Sequence, residues 1–311
     1  MDRRRGRRQH HRPGRQSSDR KSCHSTVGGR CTPHLVTKLT APRGSRFVIT
    51  FLKLGGSLIT DKSTPRTADM DVIHRLAAEI RTAQKELPHL SLVLGHGSGS
   101  FGHVPAREFN TRNGVRTAFE WNGFLEVWRQ ARDLNQIMVE ALTQSGIPIM
   151  AFPPSAIIQA ADGQPVSVQS EPLLSALNAG LTPLVAGDVV FDKIRGGTIF
   201  STEDVFMALA AANPPDRVLI CGKESGVWEN YPANTSLISK ITPSGYEQMQ
   251  RSLGSSAGID VTGGMRTKVE QMLNLVKRYP QTSAVIFSGS QPGALYEVLV
   301  GRPHGTVIVN T

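Results

Sequence analysis

A chain of 311 residues, 39% of them hydrophobic, has apolar material for one large globular domain or two ordinary ones. Its formal net charge of +10 suggests a nucleic-acid partner, but residues 1–46 hold 13 of the 35 Lys/Arg and only 2 of the 25 Asp/Glu, so the rest is close to neutral. No uncharged apolar run reaches 18 residues, so no membrane span is expected.

Residues 1–46 are arginine-rich and nearly free of apolar side chains. They cannot offset the entropy of ordering and are expected to form a disordered basic extension. Its possible roles are a nucleic-acid-binding arm, an organelle-targeting peptide or an idle extension, and a start codon placed too early is a further reading. It lacks the apolar centre of a secretory signal and shows no amphipathic helix. Cys23, Cys31 and Cys221 match no disulfide or zinc spacing, and Cys23 and Cys31 with His24 and His34 read as solvated residues rather than metal ligands. A reducing, cytoplasmic setting follows as the default.

From residue 47 strand and helix patterns alternate. Residues 46–55 read as a strand, 68–87 as an amphipathic helix with Val72, Leu76 and Ile80 on one face, 90–97 as a strand, and 118–146 as a long helix stopped by Gly146. Residues 147–153 read as a strand, 171–180 as a short helix ending at Gly180, and 181–192 as a strand. A helix over 201–214 opens with a capping box from Ser201 to Asp204. Residues 217–221 are a strand, 260–280 a loop and helix, and 282–289 and 305–310 strands. This alternation predicts an α/β fold, a three-layer αβα sandwich around a mostly parallel sheet. No linker marks a boundary, so residues 47–311 are expected to form one domain with two lobes, 47–180 and 181–311. Ligands of such sheets sit at the carboxyl ends of the strands.

Four stretches fall at that edge. KLGGS, Lys53 to Ser57, ends the first strand. Its glycines let a backbone approach a ligand and expose N–H groups, as a phosphate cradle requires, while Lys53 and then Lys62 supply cations. The bland alternative is a tight turn with a snorkelling lysine. GHGSGSFGH, residues 95–103, satisfies GxGxxG at Gly97, Gly99 and Gly102, which raises a dinucleotide-binding oxidoreductase as a rival. Its position after the second strand, beside the glycine loop of the first, suits two phosphate-bearing ligands that face each other. His96 and His103 flank this loop, each either structural or functional. In AGDVVFD, residues 186–192, Asp188 orients neighbouring lysines or caps a turn. In TGGMRTK, residues 262–268, Gly263, Gly264 and Lys268 at a helix start form an anion site, or else a flexible entry with a solvent-facing lysine. No Walker A sequence, GxxxxGK[ST], occurs. Lysines and glycine loops gathered at one edge suit phosphoryl transfer, which needs donor and acceptor in line and charge on the transferring oxygens offset.

In this order, KLGGSLITDK, HGSGSFGH, GDVVFD, STED and DVTGGMRTK resemble the amino acid kinase superfamily over residues 48–311. The pair ITDK and GSFGH is similar to its isopentenyl phosphate kinase branch. The resemblance implies an αβα sandwich that moves the γ-phosphate of ATP, carrying Mg²⁺, onto isopentenyl phosphate to give the diphosphate of isoprenoid biosynthesis. It implies a cytoplasmic homodimer, with an acceptor-binding lobe at 47–180 and a nucleotide-binding lobe at 181–311. It implies that Lys53, Leu54, Gly55, Gly56, Ser57 and Ser98 line the ATP phosphates and that Asp204, Gly264 and Lys268 hold the nucleotide. Lys62 would stabilise the transition state. Gly97, Gly102 and Gly187 would face the acceptor, His103 would hydrogen-bond its phosphate, and Asp188 would orient lysines. No metal held by protein groups is expected.

Two departures from the family pattern stand out. Ser98 replaces a glycine, at a cost of about 1 kcal/mol or more if the position needs positive φ. GKESGVW, residues 222–228, replaces an acidic TDVDGVY pattern, which leaves the nucleoside contacts unassigned. The acceptor's apolar tail needs a slot, and Phe119, Trp121, Phe124, Leu125, Trp128 and Phe152 are candidates, although such a stripe also reads as core. The alternatives are a kinase for another phosphate or phosphonate acceptor such as fosfomycin, a non-catalytic nucleotide- or oxyanion-binding protein of the same fold, and an RNA-binding protein acting through the basic segment.

Overall fold

Strand β1 (Val48–Leu54) is apolar on both faces, as a central parallel strand must be. Its side chains alternate: Leu52 and Leu54 enter one helical layer, whereas Phe51, and by the same alternation Lys53, face the other. The structure, a computed structural model, describes residues 48–61, 63–229, 233–253 and 263–311, without the side chains of His103, residues 250–253 and Gly263. The basic segment, Cys23, Cys31 and Lys62 lie outside the described residues.

After β1 come α1 (Gly56–Ile59), α2 (Met70–Glu86), β2 (Leu90–His96), α3 (His103–Glu108), a 3-10 turn at Thr111–Asn113 and the long α4 (Ala118–Gln144). The chain continues through β3 (Ile149–Ala151), α5 (Pro154–Ile157), β4 (Ile158–Ala161), β5 (Gln164–Val168), α6 (Glu171–Asn178) and β6 (Thr182–Ala186). The hairpin of β7 (Asp188–Asp192) and β8 (Gly196–Phe200) leads into α7 (Thr202–Ala212) and β9 (Arg217–Gly222). Short strands β10 (Val227–Trp228), β11 (Leu237–Ile238) and β12 (Lys240–Ile241) precede α8 (Pro243–Leu253). The chain closes with α9 (Gly263–Arg278), β13 (Ser283–Ser288), α10 (Ala294–Leu299) and β14 (Thr306–Ile308).

Among the described residues the central sheet has eight strands in the order β12-β14-β13-β9-β1-β2-β6-β3, and only the β13–β14 pair is antiparallel. Helices α2, α4 and α10 cover one face through Leu76, Ile80, Leu134, Met138 and Leu295. Helices α6, α7 and α9 cover the other through Leu173, Phe206, Leu209, Val269 and Met272. This is the three-layer sandwich expected from the sequence. The strand order runs outward from β1 in one direction through β2 and in the other through β9, and that switch opens a crevice at their carboxyl ends.

The helix signals operate as read. Asp69 caps α2, Thr117 and Glu120 form a capping box on α4, and Ser201 and Asp204 form one on α7. Gly146 stops α4 with φ +79. The buried face of α2 is Ile73, Leu76, Ala77 and Ile80, with Val72 at its rim. No helix among the described residues is long and apolar enough to cross a membrane.

The expected strand over 181–192 is two strands in different sheets. The chain leaves the central sheet at Gly187, whose N–H donates to the His96 carbonyl at 3.1 Å. It then enters a small sheet ordered β5-β4-β7-β8. The β4–β5 hairpin turns at Asp162 and Gly163, with φ of 51 and 74, the Asp-Gly signature of a tight hairpin turn. Asp192 braces it by accepting the N–H groups of Asp162, Gly163, Ile194 and Arg195. The division expected at residue 180 does not coincide with a break in the central sheet, because β6 lies between β2 and β3.

Candidate active site

A cavity of about 880 Å³ opens at the carboxyl ends of β1, β2 and β9. Lys53, Gly55, Gly56, Ser57, Gly97, Ser98, Gly102, Gly187, Asp188, Gly264 and Lys268 line it, residues that the sequence placed on ligands. Of His103 only the backbone is described, and it opens α3 next to cavity-lining Gly102. Two residues that the resemblance placed on the nucleotide do not line the cavity. The Leu54 side chain is buried in the core beside Leu52 and Leu94, and its carbonyl accepts the Gly97 N–H at 3.0 Å. The Asp204 carboxylate is taken up by the cap of α7, by Arg112 at 3.2 Å and by Gln271 at 2.7 Å, so it holds two cavity-lining side chains without lining the cavity itself.

The glycines of the two loops serve first to pack the loops against each other. A Cβ on Gly56 would overlap the Gly99 amide nitrogen, and one on Gly97 would stand 2.7 Å from the Gly56 nitrogen. Thr60 stitches the same contact: its hydroxyl donates to the Gly56 carbonyl at 2.7 Å and accepts the Ser100 N–H at 3.0 Å. The left-handed residue of the loop is Gly99, at φ +50, and Ser98 is not left-handed. The serine therefore carries none of the strain that its replacement of glycine raised.

Four helix N-termini reach the cavity wall: α1 through Gly56 and Ser57, α3 through Gly102, α7 through Ser201 to Glu203, and α9 through Gly264 to Lys268. Helix starts present N–H groups and a partial positive charge, which favours anions. Lys53, Arg107, Arg112, Lys223 and Lys268 line the cavity with Asp188, Glu203 and Glu224. Arg107, Arg112, Lys223 and Glu203 went unnamed in the sequence reading. Lys223 had a readable signal, since it follows the carboxyl end of a strand as Lys53 ends one. Toward α4 the wall turns apolar, with Ala106, Val127 and Ile199. The aromatic stripe expected there does not line it: Phe119 and Leu125 are exposed, Phe152 is core, and Trp121, Phe124 and Trp128 pack around Val127.

The amino acid kinase family model matches residues 49–288. The chain belongs to the amino acid kinase family. It is similar to the isopentenyl phosphate kinase of Methanocaldococcus jannaschii, 30% identical over 84% of this chain and 98% of that protein. The isopentenyl phosphate kinase of Haloferax volcanii is 32% identical over 83% of this chain and 97% of its own. An X-ray structure of an isopentenyl phosphate kinase matches with a TM-score of 0.70 and 28% identity, covering 84% of this chain and 100% of that one.

Within this amino acid kinase cavity the charges are paired or suppressed. Lys53 and Glu203 form an ion pair, with only 8% and 3% of the residues exposed. Burial alone would raise the Glu203 carboxyl, but Lys53 beside it, and more weakly Lys268, hold it below the usual carboxylate range. Lys53 thus meets Glu203, an acid that the sequence reading did not single out. The Asp188 carboxylate accepts its neighbour's N–H, from Val189 at 2.7 Å, and burial pushes its pKa up to about 7. His96 is wholly buried, and burial pushes it down to about 4. It is therefore neutral: Nδ1 donates to the Gly97 carbonyl at 3.2 Å and Nε2 accepts from Asn135 at 3.0 Å. It is a post under the glycine loop.

Two predictions follow from this geometry. Gly56→Ala should drive the loops apart and lower the melting temperature by on the order of 4 °C or more. Gly264→Ala, whose Cβ meets nothing within 4 Å, should leave it nearly unchanged. Equal melting temperatures for the two variants would contradict the packing role. For Asp188 the folded pKa lies above that of an unfolded aspartate, so its contribution to stability is complete below about pH 4 and is lost as pH rises through 7. Asp188→Asn should therefore raise the melting temperature at pH 8.5 by more than it does at pH 5. A pH-independent difference would mean that the carboxyl is not held in its neutral form.

Proposed function

We propose that this amino acid kinase transfers the γ-phosphate of ATP to isopentenyl phosphate, giving isopentenyl diphosphate. The observation that carries the reading is convergence: Lys53, both glycine loops and the start of α9 with Lys268 meet on one cavity. Support for the acceptor comes from the match along nearly the whole length of proteins named isopentenyl phosphate kinase. A cavity of about 880 Å³ has room for a nucleotide and a small acceptor together.

The nucleotide lies against α9 and the end of β9, with its phosphates toward Lys53, the amides of Gly56 and Ser57, and Lys268. The acceptor phosphate lies at the Gly97–Gly102 loop, where His103 hydrogen-bonds it, and its apolar tail runs along Ala106, Val127 and Ile199. Gly187 faces the acceptor, and Lys62 offsets charge on the transferring group. Such cations and amides, fixed in advance, stabilise the loose transition state of phosphoryl transfer without covalent help. Mg²⁺ arrives on ATP and neutralises phosphate charge. The cavity fits that division in that its lining is rich in cations and amides. In this reading the acceptor side comprises residues 47–180 together with β6 to β8, and the remainder is the nucleotide side. The family resemblance supports a homodimer that acts in the cytoplasm.

Purified protein should release ADP with isopentenyl phosphate well above its rate with a panel of other phosphorylated acceptors and fosfomycin, and His103→Ala should raise the acceptor KM far more than the ATP KM. Preference for another acceptor would replace the substrate, and equal loss for both ligands would reassign His103. Phe124→Ala, by letting Val127 recede, should shift preference toward longer prenyl phosphates. An unchanged chain-length profile would remove α4 from acceptor selection.

A further inference from the structure

The carboxyl end of a central strand is a poor place for an ammonium group. The alternation along β1 aims Lys53 at the layer of α7 and α9, where 8% of the residue remains exposed. A long, flexible side chain there is held by its partner or not at all, and its partner is Glu203, in the first turn of α7. That turn is fixed three times over. The Ser201–Asp204 capping box closes it. The Thr202 hydroxyl donates to the His96 carbonyl at 2.7 Å. Phe206 packs on Phe51 with ring centroids 5.1 Å apart, over Gly95, where a Cβ would come within 2.7 Å of the Phe206 ring.

We propose that Glu203 is a positioning residue for Lys53, an acid that aims its ammonium into the cavity, beside the lysine-orienting role that the resemblance implies for Asp188. The proposal rests on the phosphoryl-transfer reading of the cavity. Lys268 reaches the same carboxylate electrostatically from α9, so one acid on α7 acts on cations from β1 and from α9. His96 on β2, which is neutral, reaches Lys53 electrostatically, and Asp188, Arg107, Arg112, Lys223 and Glu224 line the same cavity. A cation fixed before the substrates arrive needs no reorganisation during the reaction, and that is where such groups gain their effect.

The test uses the full chain with Glu203→Gln and Glu203→Asp. In Glu203→Gln the buried Lys53 loses the carboxylate that holds it. Turnover should fall roughly 100-fold. Glu203→Asp should recover part of the rate. An amine-selective acylating reagent, followed by mass spectrometry with Lys223 as internal reference, should label Lys53 faster in Glu203→Gln than in the parent. That readout does not depend on activity. If the parent turns over isopentenyl phosphate but Glu203→Gln leaves the turnover and the labelling unchanged, the positioning role is wrong and the kinase reading stands. If the parent is inert with every acceptor, the kinase reading fails, and the positioning role, which rests on it, falls too. The labelling difference then still tells whether Glu203 governs Lys53. If Glu203→Gln does not fold, Glu203→Asp decides alone: parental turnover and labelling would overturn the proposal.

Discussion

The carboxyl edge of the central sheet depends on two backbone segments that approach more closely than any side chain permits. The loop after β1 and the loop after β2 touch through Gly56, Gly97 and Gly99, and Thr60 bonds across the contact. Because the strands beneath are adjacent and in register from Val48 with Leu90 to Leu54 with His96, the loops leave the sheet side by side. Larger residues would force them apart and divide one cavity into two shallow clefts. With glycines, the amides that open α1 and the turn that leads to α3 form a continuous surface. Close approach of backbone to backbone comes first, and close approach of a ligand is its result.

Around that surface the charges obey the cost of burial. The buried ammonium of Lys53 has Glu203. The buried imidazole of His96 stays uncharged and uses both nitrogens to hold the loop and α4. The buried carboxyl of Asp188 keeps its proton up to near neutrality. The more exposed Arg112 is tethered by Asp204, which stands back from the cavity. The result is a site that favours anions while few charges lie unpaired in a dry environment.

Much of this was legible in the residues. Helical periodicity with capping residues marked α2, α4 and α7 because those signals are local. Apolar runs marked the central strands because strands covered on both faces leave no alternation to misread. Glycine and lysine at strand ends marked the two loops and the start of α9 that line the cavity. The failures have equally definite causes. LTPLVAGDVVFD reads as one strand because its apolar character does not lapse at Gly187, although the chain passes there from one sheet to the other. Glu203 looked like an ordinary first-turn acid, because its partner lies 150 residues earlier in the chain and only the fold brings them together. Leu54 was drawn in by its neighbours in the KLGGS motif, whereas the alternation of β1 sends its side chain to the opposite core.

The β7–β8 hairpin leaves the central sheet at Gly187, returns the chain to α7 at Ser201, and carries its own ladder of hydrogen bonds between them. Its β8 strand supplies Ile199 to the apolar wall, while Lys53 and the glycine loops belong to the larger sheet. The apolar wall and the phosphate-handling floor thus stand on different sheets, so what the site admits can change through β8 while the residues of the floor stay as they are.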